Sequence, residues 1–417
     1  MTEALRRSTA SLRIPNYRRY FFGQLASLSG NWMQMVAEIW VILTLTGSGV
    51  AVGFTTALQF VPMLLLGAFG GLIADRVPKR RLLILTQTLH AIPPLAMLAL
   101  ALTAGLEAWM VYLLVFARGS VNAVDYPTRQ AFVMEIVGGD RVVNAVSLNS
   151  VLVHSARVIG PAIAGVMIAL VGPEPCFALN AASFGVMVAA LATMDTAALR
   201  PAELAVPGRG AVRAALRYVR ATPELWIPLA LMGVVGTLGF NFQAVLPLLA
   251  RFTFDGGAGA YAALVSAMGI GAIAGALATG ARGRASPALL AGAAIGFGAL
   301  ALLAAGAPTI ALELAVLAPL GAASVTLAAS INSALQLASD PVMRGRVMAL
   351  YSIVFLGSTP IGAPLAGWLS EAIDPRAALV MAGIAGIVAG LLARSAFARV
   401  ARDGSQAAPD GSQAAPA

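Results

Sequence analysis

The chain has 417 residues, of which 59% are hydrophobic and 11% are charged, and its mean hydropathy is +0.85. A soluble domain carries about 25% charged residues, so this composition excludes a chain that is surrounded mainly by water. We therefore expect most of the protein to lie in a lipid bilayer.

The formal net charge of +9 is spread along the chain. A basic protein can bind nucleic acid, but here the arginines stand between apolar segments, which is the pattern that membrane topology requires. We therefore predict that the partners are the bilayer and small molecules, with no nucleic acid among them.

Residues suited to phosphate, metal or catalytic chemistry are few. Lys79 is the only lysine, so a Gly-Lys-Ser/Thr phosphate loop cannot form. The two histidines and the single cysteine, Cys176, stand far apart, which predicts neither a metal site nor an internal disulfide. The sequence thus indicates a protein without a cofactor and without enzymatic activity.

Twelve apolar segments are long enough to cross the bilayer as helices, which takes about 20 residues each. They lie at 20–45, 51–74, 82–103, 109–128, 143–171, 175–194, 225–250, 259–281, 287–306, 309–336, 346–370 and 377–397. The predicted fold class is an all-α membrane protein with twelve transmembrane helices.

The basic residues also give these segments an orientation. If the N-terminus is cytoplasmic, 23 of the 27 Lys and Arg residues fall on the cytoplasmic side, and only Arg251 and Arg376 fall in external loops. Cytoplasmic loops of membrane proteins carry the excess of Lys and Arg. We therefore predict a multi-pass protein of the bacterial inner membrane with both termini inside.

The two halves of the chain resemble each other. Residues 160–165 (GPAIAG) align with residues 362–367 (GAPLAG) at an offset of 202. Such a duplication predicts two pseudo-symmetric six-helix bundles, at 1–194 and 225–400.

A polar linker is predicted between the bundles, at 195–224, with Arg213, Arg217 and Arg220 at helical spacing. We expect a short amphipathic helix there, lying on the membrane surface. The tail at 401–417 repeats the sequence DGSQAAP, and we expect it to be disordered.

The loop at 70–81 resembles the signature loop of the major facilitator superfamily, Gly-x-x-x-Asp-Arg-x-Gly-Arg-Arg, between helices two and three. Gly71, Asp75, Arg76 and Arg80 match this pattern, and Pro78 stands where the family has glycine. The resemblance implies a cytoplasmic gate in which Gly71 permits close helix approach and Asp75 pairs with Arg76 or caps a helix. A positively charged loop that happens to contain an aspartate is the alternative.

Residues 156–165 resemble the Gly-x-x-x-Gly-Pro-x-x-Gly-Gly motif associated with antiporters of this superfamily. Gly160, Pro161 and Gly165 match it, whereas Ala156 and Ala164 replace two of the glycines. The proline is expected to bend the helix and the small residues to allow tight packing. Ordinary small-residue packing is the alternative, and it would say nothing about the direction of transport.

Further segments at 16–34, 125–132, 144–150 and 344–351 are similar to one exporter branch of the superfamily, which includes the enterobactin exporter and macrolide efflux proteins. The likeness extends over about residues 16–395. It implies the major facilitator fold and proton-driven export of a small amphiphilic molecule such as a siderophore or a drug. We expect the chain to work as a monomer.

Polar side chains recur at helical spacing within several apolar segments. Inside a membrane such side chains are costly and usually face a cavity or a polar partner. The residues predicted to line a substrate cavity are Gln24, Ser27, Asn31, Gln34, Arg118, Asn122, Arg157, Asn241, Gln243, Asn332 and Gln336.

Glu38 is the first candidate for proton coupling, because a carboxyl group in a low-dielectric surrounding can exchange a proton near neutral pH. Asp125 and His154 are further candidates. Static pairs, Glu38 with Arg118 and Asp125 with Arg129, are the alternative.

Two arginines, Arg118 and Arg157, fall inside predicted spans. They are suited either to attract an anionic or catechol-bearing substrate or to form a structural bridge between helices four and five. Glu313, near the outer end of the tenth span, is expected at the membrane interface.

The sequence is compatible with three functions. The leading one is an alternating-access antiporter that expels a small amphiphile and admits a proton. The second is an uptake symporter or facilitator on the same fold. The third is a membrane sensor or assembly partner that does not transport, for which Glu38→Gln and Asp75→Asn would leave every transport phenotype unchanged.

Overall fold

The computed structural model describes residues 10–103, 105–138, 142–200, 211–282 and 286–406. These residues form long helices joined by short turns, with no strand among them. The predicted all-α fold class is confirmed.

Six long helices make up the first half of the described chain. They are α1 Pro15–Thr46, α2 Gly49–Arg76, α3 Lys79–Thr103, α4 Ala108–Val137, α5 Val142–Val171 and α6 Glu174–Ala192. A short 3-10 turn, Ala10–Arg13, precedes α1.

A linker helix, Ala211–Ala221, lies inside the segment predicted to connect the bundles. Most of the rest of that segment, 201–210, lies outside the described residues, as does the predicted tail from residue 407 onward.

The second half begins with α7, which spans Pro223–Thr253 with an interruption. Its first part, Pro223–Leu238, is followed at Phe242–Leu248 by a second part and then by a π-helical turn, Leu249–Thr253. The remaining helices are α8 Ala258–Arg282, α9 Pro287–Ala305, α10 Ile310–Ala338, α11 Pro341–Ala372 and α12 Pro375–Gln406.

Local sequence explains where many of these helices begin. Ser48, Ser286 and Thr309 each accept a hydrogen bond from a backbone N–H three residues later, which satisfies one free donor of the first turn. Proline occupies the first helical position of α1, α7, α9 and α11, where its missing N–H is not needed. Gly47, with φ of +63°, ends α1 and reverses the chain into α2.

Ten segments of the described chain are helices long and apolar enough to cross a membrane. The two long helices that fall short of this hydropathy are α1 and α4, because they carry buried polar and charged side chains such as Gln34, Glu38, Arg118 and Asp125. The twelve predicted spans correspond one by one to α1–α12.

Two helices differ most in length from the prediction: α12, predicted at 377–397, spans Pro375–Gln406, and α4, predicted to end at residue 128, continues to Val137. An ion pair between Asp125 and Arg129, one helical turn apart, lets the helix continue through this charged stretch.

Contacts between helices correct one expectation about the signature loop. A Cβ added at Gly71 would have no neighbour within 4 Å, whereas one added at Gly70 would overlap the carbonyl oxygen of Ala123 on α4. The expectation that Gly71 permits close helix approach is therefore wrong. The close contact is made by Gly70, because it faces α4 and the next residue points away from it.

We expect Gly70→Val to destabilise the protein by about 1–3 kcal/mol, since the added side chain would force α2 away from α4. Gly71→Val is the matched control and should change stability by less than about 0.5 kcal/mol. Thermal unfolding of the two purified variants, followed by loss of helical circular dichroism, tests this difference. Equal destabilisation by both substitutions would contradict it.

Candidate functional site

A cavity of about 420 Å³ lies between the two halves of the protein. Helices α1, α2, α4 and α5 form one wall, and α7, α8, α10 and α11 form the other. The two walls therefore come from corresponding helices of the two halves. A site at the boundary between repeats, lined by both of them, is typical of secondary transporters.

The cavity wall is largely apolar and aromatic, with a few polar groups. Six aromatic side chains lie on it: Trp32, Phe60, Phe240, Phe242, Tyr261 and Phe355. Arg118, Arg129 and Arg157 also line it, and no aspartate or glutamate is among the lining residues of the described chain. The volume and this mixture of groups suit a small organic molecule.

Six of the predicted cavity residues lie on this wall. They are Asn31, Arg118, Asn122, Arg157, Asn241 and Gln243. The structure places the other five elsewhere: Gln24, Ser27 and Gln34 are buried inside the first half, and Asn332 and Gln336 lie off the wall and are bonded to each other.

The polar stripe of α1 faces its own bundle because its partners stand on α3 and α6. The Ser27 hydroxyl donates to Gln87 Oε1 on α3 at 3.1 Å. The Asn180 amide on α6 donates to Gln34 Oε1. Spacing along a helix identified a polar face correctly but could not tell which neighbour that face contacts.

Glu38 is fully buried and forms an ion pair with Arg118. The distance from Arg118 Nη2 to Glu38 Oε2 is 2.6 Å, and Gln34 Nε2 donates to Glu38 Oε1 at 2.6 Å. Since Arg118 lines the cavity and Glu38 lies behind it, this pair connects the cavity wall to the interior of the first half.

Asp125 is also fully buried and lies at the centre of a second network. Arg129 Nε lies 2.6 Å from its carboxylate, and Thr86 and Gln87 on α3 donate to it at 2.6 and 2.9 Å. Through Gln87 the network continues to Ser27 on α1. Both candidate carboxylates therefore have an arginine partner, and the side chain of His154 lies outside the described residues.

Arg157 lies with its guanidinium carbon 4.8 Å from the ring centroid of Trp32 on α1. Its Nε is buried without a hydrogen-bond partner, and within the described residues it forms no ion pair. Because Arg118 is bound to Glu38 and Arg157 packs on Trp32, both arginines contact α1. Among the described side chains, neither arginine forms a hydrogen bond or an ion pair that joins the fourth helix to the fifth.

Glu313 lies apart from the cavity, in the first turn of α10. Its side chain is fully buried against the rest of the protein. Arg376, at the start of α12, donates from Nη2 to the carbonyl oxygen of Ala307 beside this turn. The packing of the loops at this end of the second half accounts for the burial.

The two halves touch at the end of the bundle that carries Ser48, which we call the Ser48 end. There Glu371 on α11 accepts hydrogen bonds from the Ser48 hydroxyl at 2.6 Å and from the Val50 backbone N–H at 2.9 Å. The backbones of Gly49 and Gly367 are so close that a Cβ on either glycine would overlap the other's carbonyl oxygen. The cavity is therefore closed at this end.

The antiporter-like motif on α5 contributes to this closure. A Cβ on Gly165 would overlap Ala262 of α8, across the boundary between the halves. Gly160 instead packs on the backbone of α1 at Ser29 and Met33, inside the first half, and the helix continues through Pro161. The small residues thus serve both packing within the bundle and contact between the bundles.

The opposite end, which carries Asp75, lacks such contacts along α2. Cβ atoms added at Gly67 or Gly71 would meet nothing within 4 Å. Asp75 is half-buried and forms no ion pair within the described residues, and Arg76 is exposed. Arg80 donates to the carbonyl oxygens of Leu191 and Ala192 at 2.7 and 2.8 Å, and so caps the end of α6.

Two six-helix bundles around a shared cavity, closed at one end, define a membrane transporter of the major facilitator type. Residues 7–412 match the family described as transmembrane secretion effector, and the chain belongs to this family. The chain is thus a multi-pass transporter and not an enzyme, and the predicted resemblance to the exporter branch is confirmed.

Relatives with a named function are transporters. A staphyloferrin A transporter of Staphylococcus aureus is 32% identical over 173 residues, which cover 41% of this chain and 43% of that protein. The multidrug efflux pump Tap of Mycolicibacterium fortuitum is 26% identical, with 89% and 93% covered. The enterobactin exporter EntS of Salmonella typhimurium is 26% identical, with 91% of each chain covered.

A solved structure shares the fold. It is a bacterial homologue of the human lysosomal transporter Spinster, in an inward-facing and unoccupied conformation. The TM-score is 0.72 and the identity 15%, with 95% of this chain and 99% of that chain covered.

Proposed function

We propose that the protein is a proton-coupled exporter of a small amphiphilic molecule and works by alternating access. One observation carries this proposal: the ion pair of Glu38 and Arg118 joins a residue of the cavity wall to a fully buried carboxylate. A carboxylate in that position can respond to the cavity, and its charge state can in turn alter the cavity wall.

The proposed cycle uses this pair as its switch. While Glu38 is ionised, it holds Arg118 and neutralises it. A proton that enters from the outside would neutralise Glu38 and free Arg118, and proton release on the other side would restore the pair. Export follows if substrate and proton occupy the protein in different steps, so that each proton moving inward permits one return of the empty cavity.

The proposed orientation places both termini and the Asp75 end in the cytoplasm of a bacterium, at its inner membrane. The distribution of basic residues supports it, since 23 of 27 fall on that side. In this proposed orientation, a cavity closed at the Ser48 end would be accessible from the cytoplasm, where an exporter collects its substrate.

Flux measurements in inverted membrane vesicles test the proposal. With the vesicle interior made acidic, we expect an antiporter to accumulate a fluorescent amphiphile inside, and to lose the accumulation when an ionophore dissipates the pH gradient. Fluorescein, an anion, and ethidium, a cation, are suitable probes. An uptake symporter would not concentrate either probe in this direction, and a facilitator would equilibrate it regardless of the gradient.

A further inference from the structure

The positive charges of the cavity wall are not all neutralised by the protein. Arg118 is paired with Glu38 at 2.6 Å and Arg129 with Asp125 at 2.6 Å. Arg157 is the third arginine on the wall, and no described carboxylate pairs with it. The cavity therefore carries about one uncompensated positive charge in a low-dielectric surrounding, which favours a negatively charged occupant.

Trp32 fixes the position of this charge. The guanidinium carbon of Arg157 lies over the indole ring, 4.8 Å from its centroid, and a cation–π contact of this kind uses no N–H hydrogen bond. Arg157 Nε is buried and has no acceptor. A guanidinium anchored on an aromatic ring is suited to bind a carboxylate or a similar planar anion through two parallel hydrogen bonds.

The opposite wall offers a complementary group. Asn241 on α7 is buried, and its amide nitrogen donates to the carbonyl oxygen of Thr237 at 2.7 Å. This bond fixes the orientation of the amide and leaves Oδ1 as the acceptor. Oδ1 is buried, and no described group donates a hydrogen bond to it. An occupant with a hydroxyl or N–H group would satisfy it.

We propose that the transported molecule is an organic anion with an aromatic or apolar body and a hydrogen-bond donor. Its anionic group binds Arg157, its body packs on the aromatic side chains of the wall, and its donor meets Asn241 Oδ1. This inference rests on the proposed transport function, since it names the substrate class of the same cavity. The six aromatic residues on the wall favour an organic anion over an inorganic one.

Equilibrium binding of three naphthalene probes that differ in charge tests the proposal. The probes are 1-naphthoate, the neutral 1-naphthamide and the cationic 1-naphthylmethylammonium, dialysed against the full-length chain in lipid nanodiscs, with empty nanodiscs as the background. We expect 1-naphthoate to bind at least about tenfold more tightly than either other probe. In Arg157→Gln this preference should disappear, and Arg157→Lys should retain part of it.

Arg251→Gln is the matched control, because Arg251 is exposed at the end of α7 and does not line the cavity. It should bind 1-naphthoate as the unmodified chain does. Equal affinity for all three probes, no specific binding of any of them, or an anion preference that survives Arg157→Gln would overturn the proposal.

A chloride competition measurement completes the test, since displacement of 1-naphthoate by millimolar chloride would mean that the site takes inorganic anions. The binding experiment and the flux experiment can fail independently of each other. Transport of ethidium alone would support the exporter and overturn the anion site. Selective binding of 1-naphthoate without any flux would support the anion site and overturn the exporter.

Discussion

Replacing Glu38 by glutamine should abolish accumulation driven by the pH gradient while leaving substrate exchange intact. Glutamine has nearly the same shape, and an amide can still bond to Gln34, but it cannot carry a proton. We expect accumulation in inverted vesicles to fall at least about tenfold. Exchange of internal for external probe without a gradient needs no proton step, so it should continue.

The same substitution leaves the Arg118 charge without its partner, which also costs stability. Removing one member of a buried ion pair typically destabilises a protein by about 3–5 kcal/mol. The double variant Glu38→Gln with Arg118→Gln has no unpaired charge and should regain much of this stability. It should still lack coupling, which separates the loss of a proton carrier from a general loss of folding.

Asp125→Asn serves as the comparison for proton coupling. Its carboxylate is held by Arg129, Thr86 and Gln87, and none of these groups belongs to the Glu38 network. We expect this variant to be less stable but to keep the ratio of gradient-driven to exchange flux. If Glu38→Gln kept that ratio and Asp125→Asn lost it, the coupled proton would be carried by Asp125 and not by Glu38.

Much of the fold follows from the sequence because length and hydropathy determine membrane helices almost directly. The spans at 287–306 and 309–336 differ by at most two residues at either end from α9 and α10. A helix in lipid must satisfy every backbone N–H and C=O internally, so an apolar segment of this length has hardly any alternative conformation.

The candidate site was less predictable, because polar spacing does not identify the neighbouring helix. Asn31 and Gln34 are three residues apart on α1, yet only Asn31 lines the cavity, and Gln34 is bonded to Asn180. The partner residues Gln87 and Asn180 were missed. The signal that could have found them is a polar side chain in an apolar span, which marks a bond to another helix.

Glu371 and Gly49 were missed for a different reason. Each is ordinary at the end of a membrane helix. Glu371 is bonded to Ser48 and Val50, more than 320 residues away in the chain, and Gly49 packs on Gly367. Only the packing of α2 on α11 makes them neighbours. Contacts of this kind depend on the conformation that the protein adopts, and they cannot be predicted from the local sequence.

A substitution that forces α2 and α11 apart should therefore trap the transporter in the conformation that is open at the Ser48 end. In Gly49→Val, the new Cβ would lie 2.5 Å from the carbonyl oxygen of Gly367, and neither backbone can move away without separating the helices. The Ser48 end could then no longer close. We expect net transport to fall at least about tenfold, because a carrier held in one state cannot complete its cycle.

Chemical labelling would show the trapped state directly. Cys176 is buried, so a variant with Cys176→Ser and Gln243→Cys carries one reactive thiol on the cavity wall. With the Ser48 end outside the cell, a membrane-impermeant maleimide added to intact cells should label this thiol slowly. Adding Gly49→Val should raise the labelling rate by at least about tenfold, and Glu371→Gln should raise it by less, since it removes only the charge at the start of α2.

Gly257→Val is the control for this experiment, because it lies between α7 and α8 and a Cβ there would meet nothing within 4 Å. It should leave both labelling and transport unchanged. Faster labelling from the cytoplasmic side of inverted vesicles, and not from outside, would mean that the Ser48 end faces the cytoplasm. The orientation proposed from the basic residues would then be reversed, although the contact between Gly49 and Gly367 would still be the gate. Unchanged labelling from both sides in Gly49→Val would instead show that this contact does not control access to the cavity.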